Sequence, residues 1–285
     1  MGFFREPTYD KPDISVRATT LYYEIVATIM LPFLERRLLN LFRCRQKTCF
    51  FQRNREHPPT GREFDGLVHF EPVLQKNGRV EQYLFVESAS EIVSLAKAQT
   101  VEFHGWGSRS GEVERPDRLV IDLDPDPAIG FGAVKEAAFQ LLRSFDALGL
   151  ESFAMLSGGK GIHVVVPLEP EAEWDEVEAF AKGFSTALAD AAPERFTVAL
   201  PKAKRRGRIF LDYLRNHRTA TAIMPWSTRA REGMPVAAPV SWDELDDIET
   251  PNRFTIHDAE ELLERAASSA LSSWGIASQR LPRLI

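Results

Sequence analysis

The sequence LVIDLDPDP, from Leu119 to Pro127, combines an apolar, strand-like run with closely spaced carboxylates. Residues two apart in a strand share a face, so Asp122 and Asp124 should point the same way, with Cα atoms about 6.5–7 Å apart. Two carboxylates this close repel each other unless a proton or a cation lies nearby. Because Mg²⁺ and Mn²⁺ prefer oxygen ligands, the stretch predicts a buried strand with a metal-binding face. Backbone capping or pairing with arginines is the alternative.

The charge of the chain is unevenly distributed. The chain has 285 residues, of which 44% are hydrophobic and 27% charged, and its net charge is −6. Ten Lys/Arg and one acid lie between Arg195 and Arg231, and eight Lys/Arg and one acid lie between Arg36 and Arg62. Such a dipolar chain can present a basic groove to nucleic acid although it is acidic overall.

The sequence indicates neither a membrane span nor a disulfide-stapled fold. The longest apolar stretch, residues 21–39, is interrupted by two glutamates and Pro32, so it predicts an amphipathic helix that bends or ends near that proline. Two cysteines, Cys44 and Cys49, are too few for a disulfide framework and, without nearby histidines, make a poor zinc site. We therefore expect a cytoplasmic protein with no membrane partner.

Strand-like and helix-like segments alternate along the chain, which predicts an α/β or α+β fold. A helix is expected over residues 17–37, and residues 132–150 have the apolar period of an amphipathic helix. The length suits one domain spanning residues 1–285, with an N-terminal module over 1–115 and a catalytic module over 116–285 that ends in a C-terminal tail.

A second motif, LSGGKGIHVVVP, places glycines and a lysine between two apolar runs, at residues 156–167. Glycines let a backbone approach an anion closely, and Lys160 adds a positive charge. The spacing is not that of a Walker A loop. A tight hairpin would explain the glycines equally well, but it leaves Ser157, Lys160 and His163 without a role.

A third motif, KAKRRGRIFLDYLRNHR, places one acid, Asp212, on a strand that follows a basic run, at residues 202–218. A third carboxylate could complete a site for two metal ions of the kind that promotes phosphoryl transfer. A simple ion pair with an arginine is the alternative. Further on, Arg229 and Arg231 are two residues apart and suit binding of triphosphate oxygens.

These motifs resemble the polymerase domain of bacterial ligase D, the archaeo-eukaryotic primase-type polymerase of non-homologous end joining. The resemblance covers nearly the whole chain, and its most specific segments are RPDRLVIDLDPDP, SGGKGIHVVVPL, KAKRRGRIFLDYLRN and WSTRAREGMPVAAPVSWDEL. It implies a primase-polymerase fold with an RRM-like catalytic core and an N-terminal α/β module. It also implies template-directed addition of (ribo)nucleotides to 3′ ends at gaps or double-strand breaks.

The resemblance also implies cofactors and partners. Two Mn²⁺ or Mg²⁺ ions would serve the reaction, nucleoside triphosphates (NTP or dNTP) would be the substrates, and DNA with gaps or broken ends would be the template. Ku and a DNA ligase are further expected partners, and the location would be cytoplasmic and nucleoid-associated in a bacterium.

Residue roles follow from the matched motifs. The resemblance implies that the catalytic, metal-binding acids are Asp122, Asp124 and Asp212. It implies a nucleotide-binding set that consists of Ser157, Lys160, His163, His104, Arg215, Arg229 and Arg231. It assigns DNA contact and base stacking to Phe50, Phe51 and Arg53, with ordinary core packing as the alternative for the two phenylalanines.

Several positions depart from the family pattern, and one of them bears on recognition of the 5′-phosphate. Val16 stands where the resemblance implies a lysine that binds a 5′-phosphate. That contact is therefore expected either to be weakened or to pass to Arg17, Lys11 or Arg53.

Two other functions fit parts of the sequence. A D-x-D phosphatase would use Asp122 as its nucleophile, but Asp126 stands where that class has Thr or Val, and the SGGKG motif would have no role. A non-catalytic module that binds or bridges DNA ends would use the basic segments without needing the acids.

Overall fold

The computed structural model describes residues 15–45, 48–55 and 68–282. Its α-helices are α1 (Val16–Leu34), α2 (Ala89–Lys97), α3 (Phe131–Ala147), α4 (Trp174–Ala191), α5 (Trp242–Leu245) and α6 (Ala259–Ala266). Its first strands are β1 (Arg37–Arg45), β2 (Thr48–Gln52), β3 (Asn54–Arg55), β4 (His69–Leu74), β5 (Val80–Phe85), β6 (Thr100–Arg109) and β7 (Arg118–Pro125). The later ones are β8 (Phe153–Leu156), β9 (Ile162–Pro167), β10 (Phe196–Thr197), β11 (Ile209–Asp212), β12 (Ala222–Ile223) and β13 (Ala238–Val240). The predicted mixture of helices and strands is confirmed.

The N-terminal helix α1 buries one face along its whole length. Ser15 caps it by accepting a hydrogen bond from the Ala18 backbone N–H. Tyr22, Val26 and Met30 are spaced four apart and are almost fully buried, as the helical period requires. The helix ends at Leu34, two residues after Pro32, close to the predicted end. In the part of the chain that the structure describes, no helix combines the length and apolarity needed to span a membrane.

The first sheet has seven strands, in the order β12-β6-β1-β5-β3, with β2 paired to β1 and β4 to β5. Six of these strands come from the first 109 residues. The seventh, β12, comes from beyond residue 220 and pairs antiparallel with β6 at His104 and Gly105. The chain thus returns to this sheet late, and the predicted boundary near residue 115 stays a prediction.

The second sheet has six strands, in the order β10-β11-β7-β9-β8-β13. Its centre follows the chain order β7-α3-β8-β9-α4-β11 with the spatial order β11-β7-β9-β8, which is the split βαβ arrangement shared by ferredoxin-like and RRM folds. Ile121 and Leu123 of β7 are fully buried in the main core, and helices α3 and α4 pack on this sheet. This is the predicted RRM-like core.

A buried ion pair links the two sheets. Arg37 of β1 is 3% exposed and binds the carboxylate of Asp117, just before β7, through two hydrogen bonds of 2.7 Å. Arg109 of β6 adds a third hydrogen bond to Asp117, at 2.8 Å. Burial alone would raise the pKa of Asp117, but the neighbouring Arg37 and Arg109 outweigh it and lower that pKa below its usual range.

The two cysteines correct one part of the sequence interpretation. Cys44 and Cys49 are directly opposite each other on the antiparallel strands β1 and β2 and form a disulfide. The count of two cysteines was a sound argument against a disulfide framework, but it did not reveal that hairpin register brings these two side chains together. The disulfide joins neighbouring strands and does not staple distant segments.

Candidate functional site

Three neighbouring strands of the second sheet present a row of ionisable side chains. Asp212 of β11 is directly opposite Asp122 of β7, and Asp122 is directly opposite His163 of β9. Directly opposite residues of antiparallel strands lie on the same face, so all three side chains point to one side of the sheet. His163 Nε2 lies 3.4 Å from Asp122 Oδ1. Asp212 therefore shares a face with Asp122, as a common site would require.

Asp124 stands at the solvent-exposed end of this row. It is two residues beyond Asp122 on the same face, directly opposite Phe210 of β11, and its side chain is 56% exposed. Arg205 lies 3.3 Å from Asp124 Oδ2 and stacks on the Phe210 ring, with its guanidinium carbon 3.6 Å from the ring centroid. The row of acids therefore runs from a buried end at Asp122 to an open end at Asp124.

Arg215 joins the two inner carboxylates. Its Nη2 nitrogen lies 3.1 Å from Asp122 Oδ2 and 3.1 Å from Asp212 Oδ2. Burial disfavours the charge on Arg215, but the two aspartates outweigh this effect and raise its pKa. In this structure Asp122 and Asp212 therefore pair with an arginine, which was the alternative to metal binding for each of them.

The pKa values of the three acids are shifted in different directions by their surroundings. Burial raises the pKa of Asp124 and of Asp212, and the charge on Asp122 adds to the effect at both. At Asp122 the same burial is outweighed by His163 and Arg215, so its pKa falls below the usual range. Two of the three carboxylates are thus destabilised in their charged form, which a nearby cation would reverse.

The donor set suits a hard divalent cation. Carboxylate oxygens on adjacent strands are the ligands that Mg²⁺ and Mn²⁺ prefer. Within residues 15–45, 48–55 and 68–282, however, no group of three or more His, Cys, Asp or Glu side chains already surrounds a point where an ion could sit. Instead, Arg215 forms ion pairs with carboxylate oxygens of both Asp122 and Asp212. The residues fit such an ion chemically, and binding would require the carboxylates to turn from the arginines.

The SGGKG loop joins β8 to β9 and passes close to the acids. At Gly161 an added Cβ would lie 2.0 Å from the Leu123 carbonyl oxygen, so only glycine fits against β7 there. Gly158 has a φ of +63°, and a Cβ there would lie 2.8 Å from Arg229 Cγ. Ser157 is buried and Lys160 is exposed. The glycines bring this loop into contact with both the acidic strand and the arginine segment.

The segment that carries Arg229 and Arg231 is held by α1. The Thr228 backbone N–H donates to the Tyr23 hydroxyl at 3.0 Å, and the Tyr22 hydroxyl donates to the Trp226 carbonyl at 2.8 Å. Arg229 Nη1 then donates to the Ser157 carbonyl at 2.7 Å. The guanidinium carbon of Arg231 would lie 3.4 Å from a Cβ placed on Gly159. Both arginines therefore lie beside the SGGKG loop, and their role in binding a nucleotide stays a prediction.

His104 lies on β6 of the first sheet, facing the same region. Its Nε2 nitrogen is 2.7 Å from Glu102 Oε2, and burial lowers its pKa despite this carboxylate. Arg229 contacts the same Glu102 carboxylate, and the charges of Arg229 and Arg215 also lower the pKa of His104. The site is therefore built from both sheets.

The predicted DNA-contacting residues lie on or just after β2. Phe51 is packed edge-on against His104, with ring centroids 5.1 Å apart, whereas Phe50 is 39% exposed. Neighbouring residues of a strand point to opposite faces, so the two rings do not form one stack. Arg53 and Arg17 are exposed, and Lys11 lies outside the described residues. The roles of all these residues stay predictions.

Sequence reasoning missed two charged residues of the site. Arg205 was included only within a basic run, and nothing in that run distinguishes the arginine that reaches Asp124. Glu102 was not considered, although it is two residues before His104 in a strand and therefore shares its face. That spacing was a usable signal.

Comparisons with known proteins agree with this geometry. The family model described as "LigD, primase-polymerase domain" matches residues 17–270. The multifunctional non-homologous end joining protein LigD of Pseudomonas aeruginosa is 41% identical over 202 residues, which are 71% of this chain and 24% of that protein. The bifunctional non-homologous end joining protein LigD of Bacillus subtilis is 33% identical over 235 residues, 81% of this chain and 37% of that protein. This chain thus spans well under half the length of either relative.

A solved structure has the same fold. The polymerase domain of Mycobacterium tuberculosis ligase D, in complex with DNA, matches with a TM-score of 0.78 at 26% identity, covering 93% of this chain and 96% of that one. The fold and the acidic row therefore define a protein of the primase-polymerase class. The chain belongs to the family of LigD primase-polymerase domains.

Proposed function

We propose that this chain is a template-directed nucleotidyltransferase that adds (ribo)nucleotides to 3′ ends at gaps or double-strand breaks during non-homologous end joining. The observation that carries the proposal is the row of Asp212, Asp122 and His163 on three adjacent strands, with Asp124 at its open end. Membership of the LigD primase-polymerase family supports the same reaction class. It gives no support to a D-x-D phosphatase.

Asp122, Asp124 and Asp212 would hold two Mn²⁺ or Mg²⁺ ions. Such ions, when bound, make the 3′-hydroxyl a better nucleophile and neutralise charge on the transferred phosphate. Strand register places the carboxylates of Asp122 and Asp212 on the same side of the sheet, where Arg215 pairs with both of them. His163, whose Nε2 lies 3.4 Å from Asp122 Oδ1 in the same row, would position the triphosphate or donate a proton.

The triphosphate would lie against the SGGKG loop. Lys160 supplies an exposed positive charge, and the loop glycines leave room for an anion beside the backbone. Arg229 and Arg231, in the segment after β12, lie against the same loop, and guanidinium groups suit the paired oxygens of phosphates. Ser157, buried in this loop, and His104 complete the proposed nucleotide site.

DNA would bind along the basic segments. The M. tuberculosis relative was solved in complex with DNA, which supports DNA as the template here. Lys202, Lys204 and Arg206 are exposed beside Arg205, the partner of Asp124, so a bound duplex would lie next to the acids. Ku and a DNA ligase are proposed partners by analogy with the end-joining proteins in this family.

Primer extension tests the proposal directly. The chain is incubated with a gapped duplex bearing a 5′-phosphate, with NTPs or dNTPs, and with Mn²⁺ or Mg²⁺. We expect extension that copies the template and stops when EDTA removes the ions. Tight DNA binding without metal-dependent extension would instead favour the non-catalytic end-binding module.

Reversing the charge of Lys202 and Lys204 should weaken DNA binding and its salt dependence. Each lost phosphate contact reduces the slope of log K against log [salt] by about 0.9, so the double change to glutamate should reduce it by about 2 and lower affinity about tenfold or more. Fluorescence anisotropy between roughly 50 and 200 mM salt measures this. The matched control, Arg143→Glu with Lys182→Glu, changes exposed positions on α3 and α4 and should leave the slope unchanged.

A further inference from the structure

Glu102 places a buried carboxylate among the proposed nucleotide-binding residues. Its side chain is 8% exposed. Oε2 lies 2.7 Å from His104 Nε2 and 3.3 Å from Arg229 Nε, and Oε1 accepts a hydrogen bond of 2.8 Å from the Ala230 backbone N–H. One carboxylate thus contacts a predicted nucleotide-binding histidine, a predicted nucleotide-binding arginine and the segment that carries the arginine.

Arg229 is held from both sheets. Glu102 of β6 forms an ion pair with it, with Oε2 3.3 Å from Nε but without hydrogen-bond geometry, and the carbonyl of Ser157, in the SGGKG loop of the second sheet, accepts a hydrogen bond from its Nη1 at 2.7 Å. A guanidinium is planar, so an ion pair near one nitrogen and a hydrogen bond on another restrict the orientation of the group and of its remaining N–H bonds. Without Glu102, the Ser157 contact alone would leave the guanidinium free to rotate about one hydrogen bond.

Glu102 also sets which nitrogen of His104 carries the proton. Burial raises the pKa of Glu102, but Arg229, His104 and the Ala230 N–H outweigh it and lower that pKa to about 2, so the group is ionised at neutral pH. An ionised carboxylate can only accept hydrogen bonds, so His104 Nε2 must donate. Burial lowers the pKa of His104, so the imidazole is neutral at neutral pH and carries a single proton. Nδ1 is then an acceptor.

We propose that Glu102 is a positioning residue for the nucleotide site, orienting Arg229 toward the triphosphate and holding His104 in its Nε2–H tautomer. The proposal rests on the proposed nucleotidyltransferase function. Glu102 touches no reacting atom and acts through these two neighbours. A purely structural role, in which the ion pair only ties the arginine segment to β6, would change stability without a selective effect on nucleotide binding.

Glu102→Gln is the informative variant. It keeps the shape of the side chain, but an amide oxygen can accept at one side only, so it cannot serve both Ala230 and the pair formed by His104 and Arg229. Loss of a charge-assisted contact that orients a ligand-binding arginine should raise the KM for the nucleoside triphosphate about tenfold to a hundredfold. The kcat at saturation should change by less than about threefold. Glu112→Gln, at an exposed turn, is the matched control and should change neither value.

A double-mutant cycle separates positioning from stability. If Glu102 orients Arg229, Glu102→Gln should raise KM clearly less in the Arg229→Gln background than in the original chain, and the effect that remains is the part that passes through His104. Independent effects that multiply would overturn the proposal. So would an unchanged KM in Glu102→Gln. If Glu102→Gln fails to fold, Glu102→Asp, which keeps the charge but withdraws the carboxylate by one methylene, replaces it in the cycle with the same expectation.

The histidine provides a readout that does not depend on activity. Nitrogen-15 NMR of the imidazoles should show His104 protonated at Nε2 in the unmodified chain and shifted toward the Nδ1–H tautomer in Glu102→Gln. An unchanged tautomer would overturn the positioning of His104. If the unmodified chain extends no primer, the proposed function fails, whereas the NMR result still decides whether Glu102 controls His104.

Discussion

Asp124→Asn should abolish nucleotide addition while leaving the fold intact. Losing a carboxylate from a two-metal site removes an ion ligand and its charge, and we expect kcat in primer extension to fall about a thousandfold or more. The free energy of unfolding should stay the same or rise slightly. The two measurements together separate a catalytic role from a structural one.

The stability expectation follows from the surroundings of Asp124. Its side chain is 56% exposed, so little packing is lost. Burial and the neighbouring charge of Asp122 raise the pKa of Asp124, which means that its charged form is disfavoured in the folded state. Asparagine keeps the shape without the repulsion, although it gives up the exposed pair with Arg205. Sites that gather like charges for chemistry commonly trade stability in this way.

Asp126→Asn is the matched control for this experiment. Asp126 lies two residues further along, and its Oδ1 accepts a hydrogen bond from the Ala128 N–H, which asparagine can also do. The variant should keep both extension and stability. Extension that survives in Asp124→Asn at close to the original rate would refute the assignment of this acid as a metal ligand.

Asp117→Asn should destabilise the fold by about 3–5 kcal/mol, because it leaves Arg37 as a buried charge without its carboxylate. In the original chain Asp117 accepts two hydrogen bonds from Arg37 and one from Arg109. The amide can replace at most part of this pattern and carries no charge. Urea or thermal unfolding measures the loss.

The same pair predicts an acid dependence of stability. The pKa of Asp117 is lowered in the folded state, so its contribution is fully present above the pKa of an unfolded aspartate, about 3.9, and is lost as the pH falls below that value. The difference in unfolding free energy between the original chain and Asp117→Asn should therefore shrink below about pH 4. A difference that stays constant across this range would show that Asp117 is not ionised in the way the contacts require.

Part of the site could be predicted because strand alternation is local. The period of two in LVIDLDP placed Asp122 and Asp124 on one face and buried Ile121 and Leu123, as the structure has them. Apolar spacing in the same way predicted the helix that became α1. Long, specific motifs also identified the family, which the comparisons confirm.

Other features depend on which strands become neighbours. Cys44 and Cys49 meet because of a hairpin register, and Arg205 rather than another arginine of its run reaches Asp124. Nothing in the sequence specifies that Arg215 binds two acids at once or that β12 joins the first sheet. Each of these outcomes requires contacts between segments that are distant along the chain.

The amino-acid sequence by itself therefore determined the secondary-structure periods, the face on which each acid lies and the family. Only the tertiary structure decided that β11 lies beside β7, that β9 lies on the other side, and that Glu102 of the first sheet meets Arg229 at the same site. The physical reason is that the direction of a side chain follows from its own backbone, whereas its partners follow from the order of strands in the sheet.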